Sequence, residues 1–349
     1  MASKHRDDAS ASHVPHSRRE FLRKAAQTAG GLIALSSPLV SGPWLSSAAA
    51  ADTKRSYVAG RFALELDGQF AGFVTGFEGG NLVGQVISLK VADGSVRKQI
   101  GGMKIEPISI ETGLSMEKPF YEWIKAILDG KAGPKNGAII AMDFNNKEVG
   151  RRIFFNALIT EIEFPACDAA SKEAARMTIT LTPESLRFDP PSLKQAPLPV
   201  TKQKQWLPSN FRLNIQGLEP ATARVNKVEA LVIKQKVTEE AVGQRRDIQK
   251  GPSPPEYPNL VITLPESQAG LFYAWHQDFV IKGNNGQDKE KPGVLEILSP
   301  DLKSVLASLQ FQNLGIFKVA PEPGQAGAEA IGRIKAEMYC EKITATFNA

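Results

Sequence analysis

Apolar and polar residues alternate along much of the chain with the period of two that half-buried strands require. FALEL (62–66) sets Phe62, Leu64 and Leu66 against Ala63 and Glu65, and FRLNI (211–215) sets Phe211, Leu213 and Ile215 against Arg212 and Asn214. Each is followed by a second candidate strand, VGQVISLKV (83–91) and KVEALVIKQKV (227–237), and a polar loop, about 92–102 and 238–256. A third strand follows in each case, PISIETGL (107–114) and PNLVITL (258–264). The period then changes. FYEWIKAILDG (120–130) places Phe120, Trp123, Ile124, Ile127 and Leu128 on one helical face, and FYAWHQDFVIKG (272–283) does the same with Phe272, Trp275, His276, Phe279 and Val280. Gly130 and Gly283 stand where a left-handed cap would end each helix.

After each helix comes a hairpin: GAIIAM (137–142) with VGRRIFFNALIT (149–160), and VLEIL (294–298) with SVLASLQFQNLGIF (304–317). The turns between them carry Asn, Asp and Pro, as turn geometry demands. ARMTITLT (175–182) and GRIKAEMY (332–339) close the two series, with Arg176 and Arg333 in matching places. One order of elements written twice predicts a mainly β, β-rich α+β chain of two tandem domains, each with one packed helix. The expected domains are 52–188 and 207–349, joined by a Pro-, Lys- and Gln-rich linker at 189–206. In this frame Phe120, Trp123, Phe272 and Trp275 are packing residues. His276 takes the place of Ile124 and reads as a core histidine. FALEL and FRLNI lack the charges or prolines that protect exposed sheet edges, so they read as strands available for pairing.

Charge alters the picture little once it is divided. The 349 residues carry a net +5, but residues 1–51 hold six Lys/Arg and three Asp/Glu, leaving 36 basic against 34 acidic residues beyond them. That net of +2 is no electrostatic footprint for specific nucleic-acid binding. The leader is more informative. Arg18-Arg19-Glu20-Phe21-Leu22-Arg23-Lys24 resembles the twin-arginine export motif. A moderately apolar run follows and ends in small residues, placing cleavage after Ala50 or Ala51. The apolar stretch 25–40 is shorter than the ~20 residues of a membrane span, so a cleaved leader is favoured over an uncleaved anchor. The expectation is export, already folded, to the periplasm or beyond, with the twin-arginine translocase and a signal peptidase as transient partners.

Catalytic signatures are sparse. Three of the four histidines, His5, His13 and His16, lie in the leader, leaving His276 for acid–base work. Cys167 and Cys340 form no CxxC pair, no histidine cluster suits a metal, and no Ser occupies a Gly-x-Ser-x-Gly elbow. Gly79-Gly80 and Gly101-Gly102 read as turns rather than phosphate loops. Glu161 and Glu163 alternate on one strand face as a solvated pair, with a carboxylate-only hydrolase as the remaining enzymatic alternative. The expectation is a non-enzyme without cofactor or metal. The two cysteines read as isolated thiols, an interdomain disulfide being the alternative.

The ordered set of features resembles the contractile-phage tail tube proteins, also found in phage-tail-like particles and injection systems. In the first half the resemblance rests on the Phe-x-Leu-x-Leu strand, Val96-Arg97-Lys98 with Gly101-Gly102, and Ile108–Leu114. It continues through the Trp123-Ile124 helix, Phe155-Asn156-Ala157 and the Thr178–Leu181 strand. The second half keeps Tyr257–Leu264, the Phe-Tyr-x-Trp helix and Gln312-Asn313. This resemblance implies β-sandwich or half-barrel modules whose strand edges join neighbours into a hollow ring, with rings stacking into a tube. It implies that the segment holding Val96, Arg97, Lys98, Gly101 and Gly102 is a loop reaching the next ring. Self-association as a trimer or hexamer, alongside other phage-tail-like components, is implied as well. Tail tube subunits are single-domain and lack an export signal; a tandem pair suggests three chains supplying six modules. A monomeric periplasmic binding or adaptor module is the alternative. Replacing both Arg18 and Arg19 by Lys is expected to retain the chain in the cytoplasm, as read by cell fractionation.

Overall fold

A computed structural model describes residues 60–131, 133–190, 192, 206–240, 249–322 and 332–348. Arg18, Arg19, Phe21, Leu22, Ala50 and Ala51 lie outside the described residues, as does nearly all of the 189–206 linker. Residues Ser56–Ala349 form one compact unit. Its first half contains β1 (Arg61–Leu66), β2 (Gln69–Val74), β3 (Gly76–Gly79), β4 (Leu82–Lys90), β5 (Val96–Ile105) and β6 (Ile108–Thr112). Helix α1 (Lys118–Leu128) follows, then β7 (Lys135–Met142), β8 (Glu148–Phe164), β9 (Cys167–Asp168), β10 (Met177–Thr182) and β11 (Ser185–Asp189). The second half contains β12 (Phe211–Ile215), a single helical turn α2 (Glu219–Thr222), β13 (Lys227–Val228), β14 (Leu231–Glu240), β15 (Gln249–Glu256) and β16 (Leu260–Pro265). Helix α3 (Gly270–His276), β17 (Lys291–Leu298), β18 (Val305–Pro321) and β19 (Arg333–Phe347) complete it.

The fold is β-rich α+β, and the two halves share a strand order. The first sheet runs β2-β1-β7-β8-β10-β6-β3; the second runs β12-β17-β18-β19-β16-β13 and then takes in β9. Matching β1 to β12, β7 to β17, β8 to β18, β10 to β19, β6 to β16 and β3 to β13 superposes the two orders. Local irregularities agree too. The register slips at Thr160 where β8 meets β10, and at Phe317 where β18 meets β19, 157 positions later. Asn156 and Asn313, also 157 apart, both adopt positive φ, 48° and 56°. Each donates its side-chain amide to a glutamate 28 residues on, Asn156 to Glu184 and Asn313 to Glu341. An Asn tolerates this left-handed backbone because its short side chain finds a local partner.

In the first half, β2 and β3 stand at opposite ends of the strand path yet are separated only by Thr75, so the two faces meet again at that corner. Strand β8 belongs to both faces: its first part pairs with β7 and β11, its second with β10 and β14. Helix α1 covers the core. Pro119 sits in its first turn, where a missing N–H costs nothing, and Phe120, Trp123, Ile124, Ile127 and Leu128 are buried. Gly130 ends it at φ 69°. Helix α3 likewise buries Phe272 and Trp275, and Gly283 follows at φ 75°. The remainder of that expected face differs: Phe279 is buried, His276 is only half-buried and Val280 is exposed. His276 is therefore not a core histidine: it is the last residue of α3, ahead of a wider π-type turn over Gln277–Ile281 that keeps Phe279 inside and leaves Val280 exposed.

Three further readings are corrected. FALEL is not an edge, since β1 is flanked by β2 and β7. The missed strand β2 is turned back by Asp67-Gly68, both at positive φ (47° and 79°), the geometry of a tight hairpin. FRLNI, by contrast, is the outermost strand of its sheet, paired with β17. Val96, Arg97, Lys98, Gly101 and Gly102 lie on strand β5, paired along its length with β4, and not in a loop. The Gly pair hid the strand because Gly101 leaves the space that Ile87 fills. The 238–256 segment likewise contains β15, whose Pro252, Pro254 and Pro255 are tolerated because it pairs with β14 alone.

Gly137 of β7 has no room for a side chain: a Cβ there would meet the Glu65 carbonyl and the Phe154 ring. Gly137→Ala is expected to cost about 1–3 kcal/mol through overpacking, measured as a lowered urea midpoint at unchanged m-value.

Candidate assembly surfaces

The two halves are stitched edge to edge. Strand β14, from the second half, pairs antiparallel with the end of β8 in the first: Leu231 faces Phe164, Val232 faces Glu163, Ile233 faces Ile162 and Lys234 faces Glu161. Leu231, Ile233, Ile162 and Phe164 turn inward and are buried, while Lys234 meets Glu161 at 3.7 Å on the outer side. Glu161 is thus half of an ion pair at a joint rather than part of a solvated carboxylate pair. In return, β9 from the first half pairs with β13 of the second, Cys167 opposite Val228 and Asp168 opposite Lys227. The exchange extends each sheet with a strand of the other and removes two edges that would otherwise stand open.

Side chains lock the exchange. The Lys250 backbone N–H donates to Glu184 at 2.7 Å and its ammonium donates to the Pro183 carbonyl at 2.9 Å. Asn156 holds the other Glu184 oxygen at 2.7 Å, so the left-handed Asn presents the carboxylate to β15. Burial holds the Lys250 ammonium below the usual lysine range, against the pull of Glu239 and Glu184. Tyr257 donates its hydroxyl to the Leu128 carbonyl at the end of α1, at 2.7 Å. Tyr121 of α1 stacks on Phe347 of β19 with ring centroids 4.3 Å apart, and burial pushes its hydroxyl up to about 12. One hydrophobic cluster runs from Leu64 through Ile233 to Ala345. No sequence motif announces Glu184 or Lys250. The recurrence of Asn followed by Glu at an interval of 28 is the signal that could have found the first.

The first-half counterpart of the β14–β15 hairpin is the β4–β5 hairpin, and its surroundings are different. Their internal registers agree: pairing slips between Gly84 and Val86 in one, and between Gln235 and Val237 in the other. Yet β4 is exposed at all nine positions, whereas Leu231, Ile233 and Gln235 of β14 are buried. Val86 is 62% exposed, Ile100 68% and Met103 55%, an apolar surface of the kind that marks an interaction site. Among the described residues β4 and β5 pair only with each other. Here stand Val96, Arg97, Lys98, Gly101 and Gly102, all exposed, whereas Phe120, Trp123, Phe272 and Trp275 are buried. The candidate residues thus divide between one exposed hairpin and the shared buried core.

Chemistry of other kinds is thin. Among the described residues no group of three or more His, Cys, Asp or Glu is placed to hold a metal ion. Cys167 and Cys340 are free thiols, and burial pushes them up to about 12 and about 11. No helix among the described residues is long and apolar enough to cross a membrane.

Residues 58–187 match the family model of the T4-like virus tail tube protein gp19, a span from just ahead of β1 into β11. That span, and not the chain as a whole, is thus similar to phage tail tube proteins. No curated protein matches the chain. Solved structures that match part of the chain include the anti-feeding prophage cap (AFP tube terminating cap), at 23% identity over 41% of this chain and 99% of that one, TM-score 0.36. The PVC sheath-tube complex of an extracellular contractile injection system, in its extended state, matches at 18% identity over 40% and 94%, TM-score 0.35. Hcp1 from Flavobacterium johnsoniae matches at 14% over 40% and 95%, TM-score 0.24.

Because one core serves both halves, the compact unit is expected to unfold in a single cooperative transition. Ile233→Ala should lower its stability by about 2–5 kcal/mol, as for other buried aliphatic truncations. Two separated urea transitions, with Ile233→Ala moving only one, would show the joint to be weak.

Proposed function

We propose that the chain is a structural subunit of a phage-tail-like tube or ring, built from a duplicated tail-tube module and assembling with further copies of itself. The observation that carries this reading is the joint between two sheets of the same strand order inside one chain. A module that receives its neighbour's hairpin along the end of its long strand already performs the step from which a ring is made. Ring closure removes every open strand edge in turn, so the assembled state is favoured over a chain with an exposed apolar hairpin. Three chains would supply six modules, and six chains in two layers is the other geometry consistent with the count.

The remaining assignments come from the sequence. The Arg18-Arg19 leader directs the folded chain through the twin-arginine translocase, with signal peptidase acting after Ala50 or Ala51, and places the assembly in the periplasm or outside the cell. Other tail-like components are its natural partners. No catalytic role is assigned, and neither cofactor nor nucleic acid enters the reading.

Negative-stain electron microscopy of the purified chain, with light scattering on the same sample, tests the proposal. Rings or stacked tubes with a central hole, at a mass of three or six chains, are expected. A monomer that persists at high concentration would contradict it and favour an adaptor or binding module.

A further inference from the structure

The internal joint supplies a residue-level template for a second joint that the chain leaves open at both ends. Its donor is the start of β14, and its acceptor is the end of β8. Each has a counterpart without a partner. The hairpin registers align Val83 with Lys234 and Leu82 with Ile233, so the entry to β4 corresponds to the entry to β14. The matched slips at Thr160 and Phe317 align Glu161 with Lys318 and Ile162 with Val319. The end of β18 therefore corresponds to the stretch of β8 that receives β14. On that side of β18, pairing with β17 ends at Leu314, and among the described residues no strand covers the remainder of β18. Phe317 and Lys318 are exposed there.

The locking residues recur at the same places. Lys98 stands on β5 where Lys250 stands on β15, and Glu341 follows β18 where Glu184 follows β8. Asn313 already holds one Glu341 oxygen at 2.5 Å, as Asn156 holds one of Glu184. Glu341 is exposed, in the position from which Glu184 accepts the Lys250 N–H. Donor and acceptor lie on opposite halves of the chain, so copies joined this way run head to tail, a heterologous contact that closes into a ring or continues as a filament.

We infer that the β4–β5 hairpin docks along the β18 edge of a second copy of this chain, pairing Val83 with Lys318 and setting Lys98 beside Glu341. This deepens the assembly reading and rests on it. The joint differs from its internal template in one respect: Val83 and Lys318 replace the Lys234–Glu161 ion pair, so the contact between copies depends more on the apolar side chains of the arm. It is accordingly less sensitive to salt than a charge-sealed joint would be.

Cysteines at Val83 and Lys318 test the pairing in the full chain, with Cys340→Ala to remove the other half-exposed thiol. Both positions are exposed, so neither change disturbs the core. Under mild oxidation the Val83→Cys, Lys318→Cys chain is expected to give a covalent ladder on a non-reducing gel. Each chain with one introduced cysteine, its native Cys167 being buried, should give none alone, and a mixture of the two should give a cross-linked dimer. Light scattering on the parent chain separates the outcomes. If the parent assembles and the cysteines fail to cross-link, the joint is wrong and the assembly reading stands. If the parent remains a monomer, both are wrong.

Discussion

Everything in this fold that is not ordinary core packing depends on one short piece of backbone pairing, Leu231–Lys234 of β14 against Glu161–Phe164 of β8. A β-sheet cannot end without leaving a row of unpaired donors and acceptors, and a chain with two sheets has edges to settle for each. Here the two sheets settle part of that need on each other, β14 onto β8 and β13 onto β9. Inward side chains of the exchange then merge the two cores into one cluster. Polar contacts from Lys250 to Glu184 and from Tyr257 to the end of α1 fix the register of the exchange but add little area.

The same arithmetic leaves something over. A first-half hairpin with apolar residues on its surface and a second-half strand end with one open side are left once the internal joint is made. In a monomer both are liabilities; in the proposed contact between copies each would complete the other. An exposed arm and an open edge are thus one feature seen from two sides.

Much of this was legible in the sequence, for physical reasons that can be named. Alternation in FRLNI, and the helical stripe through Phe120 and Trp123, are direct imprints of burial on one face, whereas in FALEL Ala63 is buried on the opposite face as well. The features that stayed hidden depend on partners. In β2, Phe70 and Phe73 break the alternation, although Asp67-Gly68 before it was a hairpin signal. In β5, Gly101-Gly102 and a run of charges read as a loop, because a strand exposed on both faces has no hydrophobic period to display. The prolines of β15 pointed the same misleading way. Val280 was misplaced because the sequence does not announce the π-type turn at Gln277–Ile281 that breaks the helical period after His276. The joint itself was illegible: nothing in LVIK says that it pairs with EIEF across 66 or more residues.

The most direct test of the head-to-tail account is native mass spectrometry of the full chain across a range of concentrations. The account predicts closed species of three chains, or multiples of three, in equilibrium with the monomer and with little dimer. A stable dimer that grows no further would contradict it, because a two-fold contact leaves no open arm and no open edge to continue.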